Sequence, residues 1–364
     1  MADSFDQIVI GGGPGGYVAA IRAAQLGQKT AVVERDKAGG RCLNYACIPA
    51  KTVLRTAEIF HEAQASAELG VVGNDVQLDW EALQKRRADV SAQLTGGVEG
   101  LWKKNKIEFI QGDGSLTAEG NVKVGDEVYE AKAVTLATGS VALPIPGVEF
   151  GGRVVETWGA WSLPERPNRI AVVGAGASGA ELASAYARFG TEVLLIEMLD
   201  QILPAEDKDM AKVVKRVFEK QGIEISTGAP VENVEAGDSS VKFTYGDKSA
   251  EVDYLCIAGG RAPDTEGLGL EEAGVELEEG GRKIKVDGFQ RTSNQKVFAI
   301  GDLVNKKALA HKASEEGVVA VETAAGVETH SVDQELSRIV HPHPTASEAV
   351  LDAARAVDGW AIHA

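Results

Sequence analysis

Two cysteines with four residues between them, Cys42 and Cys47, stand in the segment Gly39-Gly-Arg-Cys-Leu-Asn-Tyr-Ala-Cys-Ile-Pro-Ala-Lys51. A helix is expected to begin at this point, and the positive end of a helix lowers a thiol pKa and favours the thiolate, the nucleophilic form. A disulfide could therefore form and break between them. Two plainer readings stand beside this one. The pair could be two small buried hydrophobes, or two ligands of a metal, although further ligands at metal-like spacing are not evident nearby. The third cysteine, Cys256, falls in the strand-like Tyr254-Leu-Cys-Ile-Ala and reads as core.

A second kind of chemistry comes from two glycine patterns. Gly11-x-Gly13-x-x-Gly16 follows the strand-like Gln7-Ile-Val-Ile and opens an Ala-rich helix, with Glu34 at the end of the next strand. Gly174-x-Gly176-x-x-Gly179 follows Arg169-Ile-Ala-Val-Val in the same way, with Glu197 as its terminal acid. In such a turn the first glycine makes the bend, the second lets backbone approach a pyrophosphate, and the third lets helix and strand pack closely. The phosphate rests on the helix N-terminus and the acid takes the ribose hydroxyls. The distance from first glycine to acid is the same in both copies, as one βαβ unit used twice would give. Glu197 repels a 2′-phosphate and Met198-Leu-Asp-Gln201 supplies no arginine to hold one, so NAD is favoured over NADP at the second site. The plainer reading of Glu197 is a solvated strand-end carboxylate.

The elements that must position these residues follow from periodicity and punctuation. Helices are expected over Tyr17 to Leu26, Pro49 to Ala65, Trp80 to Asn105, Ala180 to Phe189 and His311 to Ala325, with Gly27 and Gly190 as stops. Strands are expected over Ile107 to Ile110, Val122 to Val128, Ala133 to Ser140 and Gln295 to Asp302, with a strand meander over Val231 to Val252. The stretch Leu143 to Gly152, rich in Pro and Gly, reads as a linker. This is an α/β chain with two Rossmann-like units.

Composition narrows the partners. The 54 acidic and 37 basic residues give a net charge of −17, which repels nucleic acid and anionic membrane surfaces. No apolar run is long enough to span a bilayer, and the first residues carry no basic leader. With three cysteines the chain has no disulfide scaffold, so a reducing, cytoplasmic surround is expected.

In sum of its motifs the chain resembles the pyridine nucleotide-disulfide oxidoreductases, and within them the members that oxidise dihydrolipoamide in 2-oxo acid dehydrogenase complexes. The matching segments run in family order: GGGPGG at Gly11, GGRCLNYACIPAK at Gly39, ATGS at Ala137, GAGASGAE at Gly174, GGRAPDTEGLGL at Gly259, FAIGD at Phe298, ALAHKA at Ala308 and HPHPTASE at His341. The resemblance implies FAD at the first glycine motif and NAD at the second. It implies an FAD-binding domain over 1–143, an NAD-binding domain over 144–262, a further FAD-binding part over 263–325 and an interface-domain remnant over 326–364. Cys42 would then meet substrate and Cys47 would face the flavin, while Lys51 and Glu181 would pair near the flavin N5 and the nicotinamide. Glu34, Arg35, Gly40, Gly114, Thr138, Gly139, Asp302 and Ala310 would also belong to the FAD site, and Val231, Gly260 and Arg261 to the NAD site. His343 would be a base toward the substrate thiol, oriented by Glu348. Without the resemblance, His343 in His-Pro-His-Pro reads equally well as an inert loop histidine. No metal is implied.

One departure bears on partners. In the family a whole interface domain precedes the His-Glu dyad, which completes the active site across a homodimer. Here the stretch from Gly326 to His341 is far shorter than the roughly 50 residues at which domains begin. Three functions therefore stay open: NAD-linked oxidation of a protein-bound dithiol, with a lipoyl domain as partner; reduction of glutathione or mercuric ion; or a flavin-loaded module that passes electrons from NADH to artificial acceptors only.

Overall fold

Ser4–Ile10 (β1) buries Ile8, Val9 and Ile10 almost completely. A strand covered on both faces by helices requires this, and a parallel sheet provides it. In the computed structural model, which describes residues 4–73, 75–304 and 307–332, β1 pairs in parallel with Thr30–Glu34 (β2), and β2 with Glu108–Gln111 (β3). On its other side β1 pairs with the second half of the long strand Glu127–Leu136 (β6), which also carries Val297–Ala299 (β17) in parallel. The first half of β6 pairs antiparallel with Val122–Val124 (β5), and β5 with Gly114–Leu116 (β4). Strand order therefore reverses between β1 and β6, and open α/β sheets bind ligands in the crevice at such a point.

The expected strand over Val122 to Val128 is instead a tight hairpin. Gly125 takes a left-handed turn at φ +59° and sends the chain back on itself. The expected strand over Gln295 to Asp302 is likewise cut short, because Gly301, at φ +72°, opens a 3-10 turn over Gly301–Leu303.

The β1–β2 crossover is Pro14–Gln25 (α1), with proline in its first turn and eight buried residues. Across it lies Ala310–Ala324 (α8). The two helices approach so closely that a Cβ on Gly317 would come within 2.6 Å of the Gly15 carbonyl oxygen. Arg22 of α1 fixes the crossing by donating from Nε and a terminal nitrogen to Glu322 of α8 at 2.8 and 2.6 Å. Gly40–Asn44 (α2) and Cys47–Ala65 (α3) follow β2, and Trp80–Lys104 (α4) leads into β3. Near its end Trp102 is buried and stacks on Phe109 of β3 at 5.4 Å.

The chain forms two units, one from residues 1–47, 91–141 and 262 onward, the other from 48–90 and 142–261. The short strands Ser140–Ala142 (β7) and Arg261–Pro263 (β16) lie where the chain passes between them. In the second unit Arg169–Val173 (β9) is the central strand of a five-stranded parallel sheet. Glu192–Glu197 (β10) and then Glu224–Thr227 (β11) lie on one side of it, and Tyr254–Ile257 (β15) and then Val154–Glu156 (β8) on the other. Order again reverses at the central strand.

Ala177–Arg188 (α6) joins β9 to β10, and Lys208–Lys220 (α7) joins β10 to β11. Asp207 caps α7 by accepting from the Asp209 amide at 2.8 Å, which satisfies a donor the helix itself cannot. Thr157–Trp161 (α5) follows β8, and Val231–Ala236 (β12), Val241–Tyr245 (β13) and Lys248–Val252 (β14) make the expected antiparallel meander. Tyr186, Phe189, Trp161 and Cys256 sit in this unit's core. Burial pushes the Cys256 thiol far up, with Glu156 adding to the shift, so it remains protonated. Among the described residues no helix is long and apolar enough to cross a membrane.

Candidate functional site

The first cradle is built at the C-terminal ends of β1 and β6. Gly11 has φ +108°, and a Cβ there would sit 2.3 Å from the Ala137 carbonyl oxygen, so only glycine fits. A Cβ on Gly16 would fall 1.8 Å from the Gly11 oxygen, which accounts for the third glycine as a contact between helix and strand. Gly13, the N-cap of α1, has open space where its Cβ would be and no side chain capping the helix. Uncapped amides therefore face outward at the start of α1, as a bound phosphate needs.

Glu34 holds the loop. Its carboxylate accepts from the Gly12 amide at 2.7 Å and the Asp36 amide at 2.9 Å, and keeps lone pairs for hydroxyl donors. Glu34, Arg35, Gly114 and Thr138 line a cavity of about 190 Å³ that also meets Ile10, Gly11 and Asp264. Asp264, which the sequence reading did not single out, organises its far wall. Its carboxylate accepts from Arg35, its backbone oxygen accepts from Thr138 Oγ1 at 2.7 Å, and its amide donates to the Gly139 oxygen at 2.9 Å. Asp302 accepts from the Ser140 hydroxyl on a neighbouring part of the same unit. Ala310 is the first residue of α8. The cavity, the carboxylate on its rim and the helix start without a side-chain cap together fit the ADP half of a flavin dinucleotide.

The cysteine loop is fastened to this cradle by main chain. Gly39, at φ +83°, donates its amide to the Gly12 oxygen at 2.9 Å, and a Cβ on Gly40 would be 2.6 Å from the Gly13 Cα. Cys42 is buried on α2, and Cys47 is half-buried as the first residue of α3. Between them Asn44 is fully bonded: its amide nitrogen donates to the Ala38 and Gly40 oxygens at 2.9 Å each, and its oxygen accepts from Thr95 of α4 at 2.9 Å. Tyr45 donates its hydroxyl to Asp36, and burial, with that carboxylate adding to it, pushes the phenol pKa up and keeps it protonated. The two cysteines thus stand on a framework that leaves their backbone little freedom.

The second unit repeats the cradle almost atom for atom. Gly174 has φ +98° and a Cβ there would be 2.4 Å from the Ala258 oxygen, while a Cβ on Gly179 would be 1.9 Å from the Gly174 oxygen. Gly176 is the uncapped N-cap of α6. Glu197, buried, accepts from the Ala175 amide at 2.7 Å and the Leu199 amide at 3.0 Å. Met198 and Leu199 beside it are exposed and carry no charge. Lys51 and Glu181 form an ion pair at 2.7 Å within this unit. Val231 opens β12, Gly260 has φ +125° and accepts from the Leu143 amide at 3.1 Å, and Arg261 lies 3.8 Å from Glu156.

His343 and Glu348 lie outside the described residues. Among the described residues no cluster of three or more metal-ligating side chains occurs. Besides Asp264, the sequence reading passed over Asn44, Thr95 and Trp102, which lies beneath Gly12. Asn44 could have been found from its place between the two cysteines. Asp264 and Thr95 act on partners distant in sequence, and no local pattern marks them.

A model of the family described as pyridine nucleotide-disulphide oxidoreductase matches residues 5–317. A dihydrolipoyl dehydrogenase of Staphylococcus aureus is 44% identical over 88% of this chain and 70% of its own length. One from Geobacillus stearothermophilus is 42% identical over the same shares. Among solved structures, LpdA from Mycobacterium tuberculosis has a TM-score of 0.82 at 28% identity, covering 90% of this chain and 74% of that one. The HOCl-induced flavoprotein disulfide reductase RclA from Escherichia coli has a TM-score of 0.80 at 26% identity, covering 90% and 73%.

Proposed function

We propose that this chain, which belongs to the pyridine nucleotide-disulphide oxidoreductase family, oxidises protein-bound dihydrolipoamide and reduces NAD⁺ by way of Cys42 and Cys47. It is an oxidoreductase with the family's cofactors, FAD and NAD(H). The observation that carries the reading is the attachment of the cysteine loop to the first dinucleotide cradle, through the Gly39 amide on Gly12 and the contact of Gly40 with Gly13. A dithiol lodged on a phosphate-binding loop belongs to electron transfer with the dinucleotide held there.

In the first step His343, oriented by Glu348, takes a proton from one substrate thiol. The resulting thiolate attacks the Cys42 sulfur of the Cys42–Cys47 disulfide, and Cys47 leaves as thiolate. The second substrate thiol then attacks the substrate sulfur bound to Cys42, its proton passing to the departing Cys42 sulfur, which closes lipoamide and releases Cys42 as the thiol. Two electrons now rest on the enzyme dithiol. Bound FAD supplies the carrier that passes this pair to NAD⁺.

Glu34 receives the FAD ribose hydroxyls, Arg35 and Gly114 bound the adenosine, and Gly11, Gly13, Gly16 and Gly40 admit the pyrophosphate. Thr138 and Gly139 would approach FAD by backbone, while Asp302 and Ala310 would take the flavin-bearing half. Gly174, Gly176, Gly179, Glu197, Val231, Gly260 and Arg261 hold NAD, with Glu197 excluding a 2′-phosphate. Lys51, paired with Glu181, supplies a positive charge to the electron-transfer path. By sequence order we assign 1–143 and 263–325 to FAD, 144–262 to NAD and 326–364 to an interface remnant, with the segment 48–90 grouped by its contacts with the second unit. The partner is a lipoyl domain of a 2-oxo acid dehydrogenase complex in the cytoplasm, and a homodimer would supply each site with the other chain's dyad.

The test is NADH formation from dihydrolipoamide and NAD⁺, run beside NADH oxidation by an artificial acceptor. Both activities are expected in the FAD-loaded protein, and His343→Gln is expected to lose only the first. Acceptor activity without any dithiol turnover would leave the flavin-loaded module as the better account.

A further inference from the structure

A fully buried ion pair stands beside Asp302. Lys312 and Glu316, one turn apart on α8, are 3% and 0% exposed and meet at 2.8 Å. Two charges removed from water carry a desolvation cost that their mutual attraction alone seldom recovers, so the other bonds they make bear on why they are there. Both reach the same residue. Glu316 accepts from the Gly301 amide at 2.7 Å, and the Lys312 ammonium lies 3.4 Å from the Gly301 oxygen. Gly301 is the left-handed residue that ends β17 and opens the turn bearing Asp302. Burial raises the Glu316 carboxyl, while Lys312 and the Gly301 amide oppose the rise, and the Asp302 carboxylate nearby adds to it.

We infer that Lys312 and Glu316 are positioning residues that clamp the Gly301 peptide groups and thereby set the turn from which Asp302 holds FAD. The inference rests on the proposed role of Asp302. β17 ends at Ala299 and sheet pairing no longer holds Gly301, so its amide and carbonyl need other partners. Glu316 supplies the amide with its acceptor, and Lys312 joins the Val304 amide, which donates at 3.3 Å, on the carbonyl; Glu316 and Lys312 both reach out from a helix already locked to α1 by Arg22 and Glu322. The turn and the phosphate loop are thus referred to the same pair of helices.

The test compares Glu316→Gln, which keeps an oxygen to accept from Gly301, with Glu316→Leu, which does not. FAD affinity is read by reconstituting the apoprotein, and the flavin midpoint potential is measured in parallel. Glu316→Leu is expected to bind FAD about tenfold to a hundredfold more weakly, the loss of one charge-assisted hydrogen bond, and Glu316→Gln to recover most of that loss. The double variant Lys312→Met/Glu316→Leu removes the unpaired buried charge and is expected to fold like the wild type while binding FAD as weakly as Glu316→Leu. If the double variant bound FAD with wild-type affinity and potential, the pair would be packing only and the inference would fall. Should that variant not fold, equal affinities for Glu316→Gln and Glu316→Leu would overturn it as well. Asp302→Ala separates the two levels: wild-type FAD affinity there would remove the role of Asp302 itself, whereas weakened affinity there with an unaffected Glu316→Leu would remove the clamp alone.

Discussion

Glu197 accepts with one oxygen from the Ala175 amide of the glycine turn and with the other from the Leu199 amide of its own loop, and Met198 and Leu199 beside it are exposed and uncharged. A 2′-phosphate would meet the Glu197 carboxylate, and Met198 to Gln201 after it bring no cation. Glu197→Ala is therefore expected to raise the KM for NADH by about tenfold, since it also strands two backbone donors. It should change the much poorer use of NADPH little, so the ratio of the two kcat/KM values narrows. A wild-type preference for NADPH would contradict this account of the second cradle. At the cysteine pair, Cys42→Ser removes the sulfur that the proposed reaction has the substrate attack and leaves the cradle untouched. Dithiol turnover is expected to fall to background while FAD stays bound and NADH oxidation by an artificial acceptor persists. Lipoamide-linked activity at the wild-type rate would reverse the roles given to the two thiols.

Between elements, the α1–α8 crossing sets the geometry of the first cradle, proposed for FAD, because α1 begins at its glycine loop. A methyl group on Gly317 would press on the Gly15 oxygen at 2.6 Å and on Ala19 at 3.2 Å. Gly317→Ala is expected to cost on the order of 1–3 kcal/mol, seen as a lower Tm of the FAD-loaded protein, with earlier loss of flavin on heating. An unchanged Tm would mean that the helices separate freely. The glycine cradles and most helices were legible in the sequence because each depends on backbone freedom or a periodic apolar face within one short stretch. The β5–β6 hairpin was not, since the apolar residues Val122, Val124 and Val128 continue through the turn at Gly125. α7 was passed over as well, although Asp207 and Gly222 mark its ends. Asp264 and the Lys312–Glu316 clamp were invisible for a different reason: their partners are set by tertiary structure, and a charged pair on a helix ordinarily reads as a solvated face.

At the scale of the whole molecule, the two cradles are the same device built twice, down to a carboxylate that accepts from two loop amides in each. One carries the cysteine loop and the other does not, and the proposed dithiol chemistry rests on this asymmetry. The chain spans about seven tenths of the length of the curated relatives it matches, and His343 and Glu348 lie outside the described residues. The most direct measurement is an anaerobic titration of the FAD-loaded protein with dihydrolipoamide, following the flavin spectrum, with NADH as the parallel reductant. Dihydrolipoamide is expected to produce long-wavelength absorbance in the wild type and no change in Cys42→Ser. A flavin bleached by NADH but left unchanged by dihydrolipoamide in the wild type would contradict dithiol oxidation through Cys42 and Cys47.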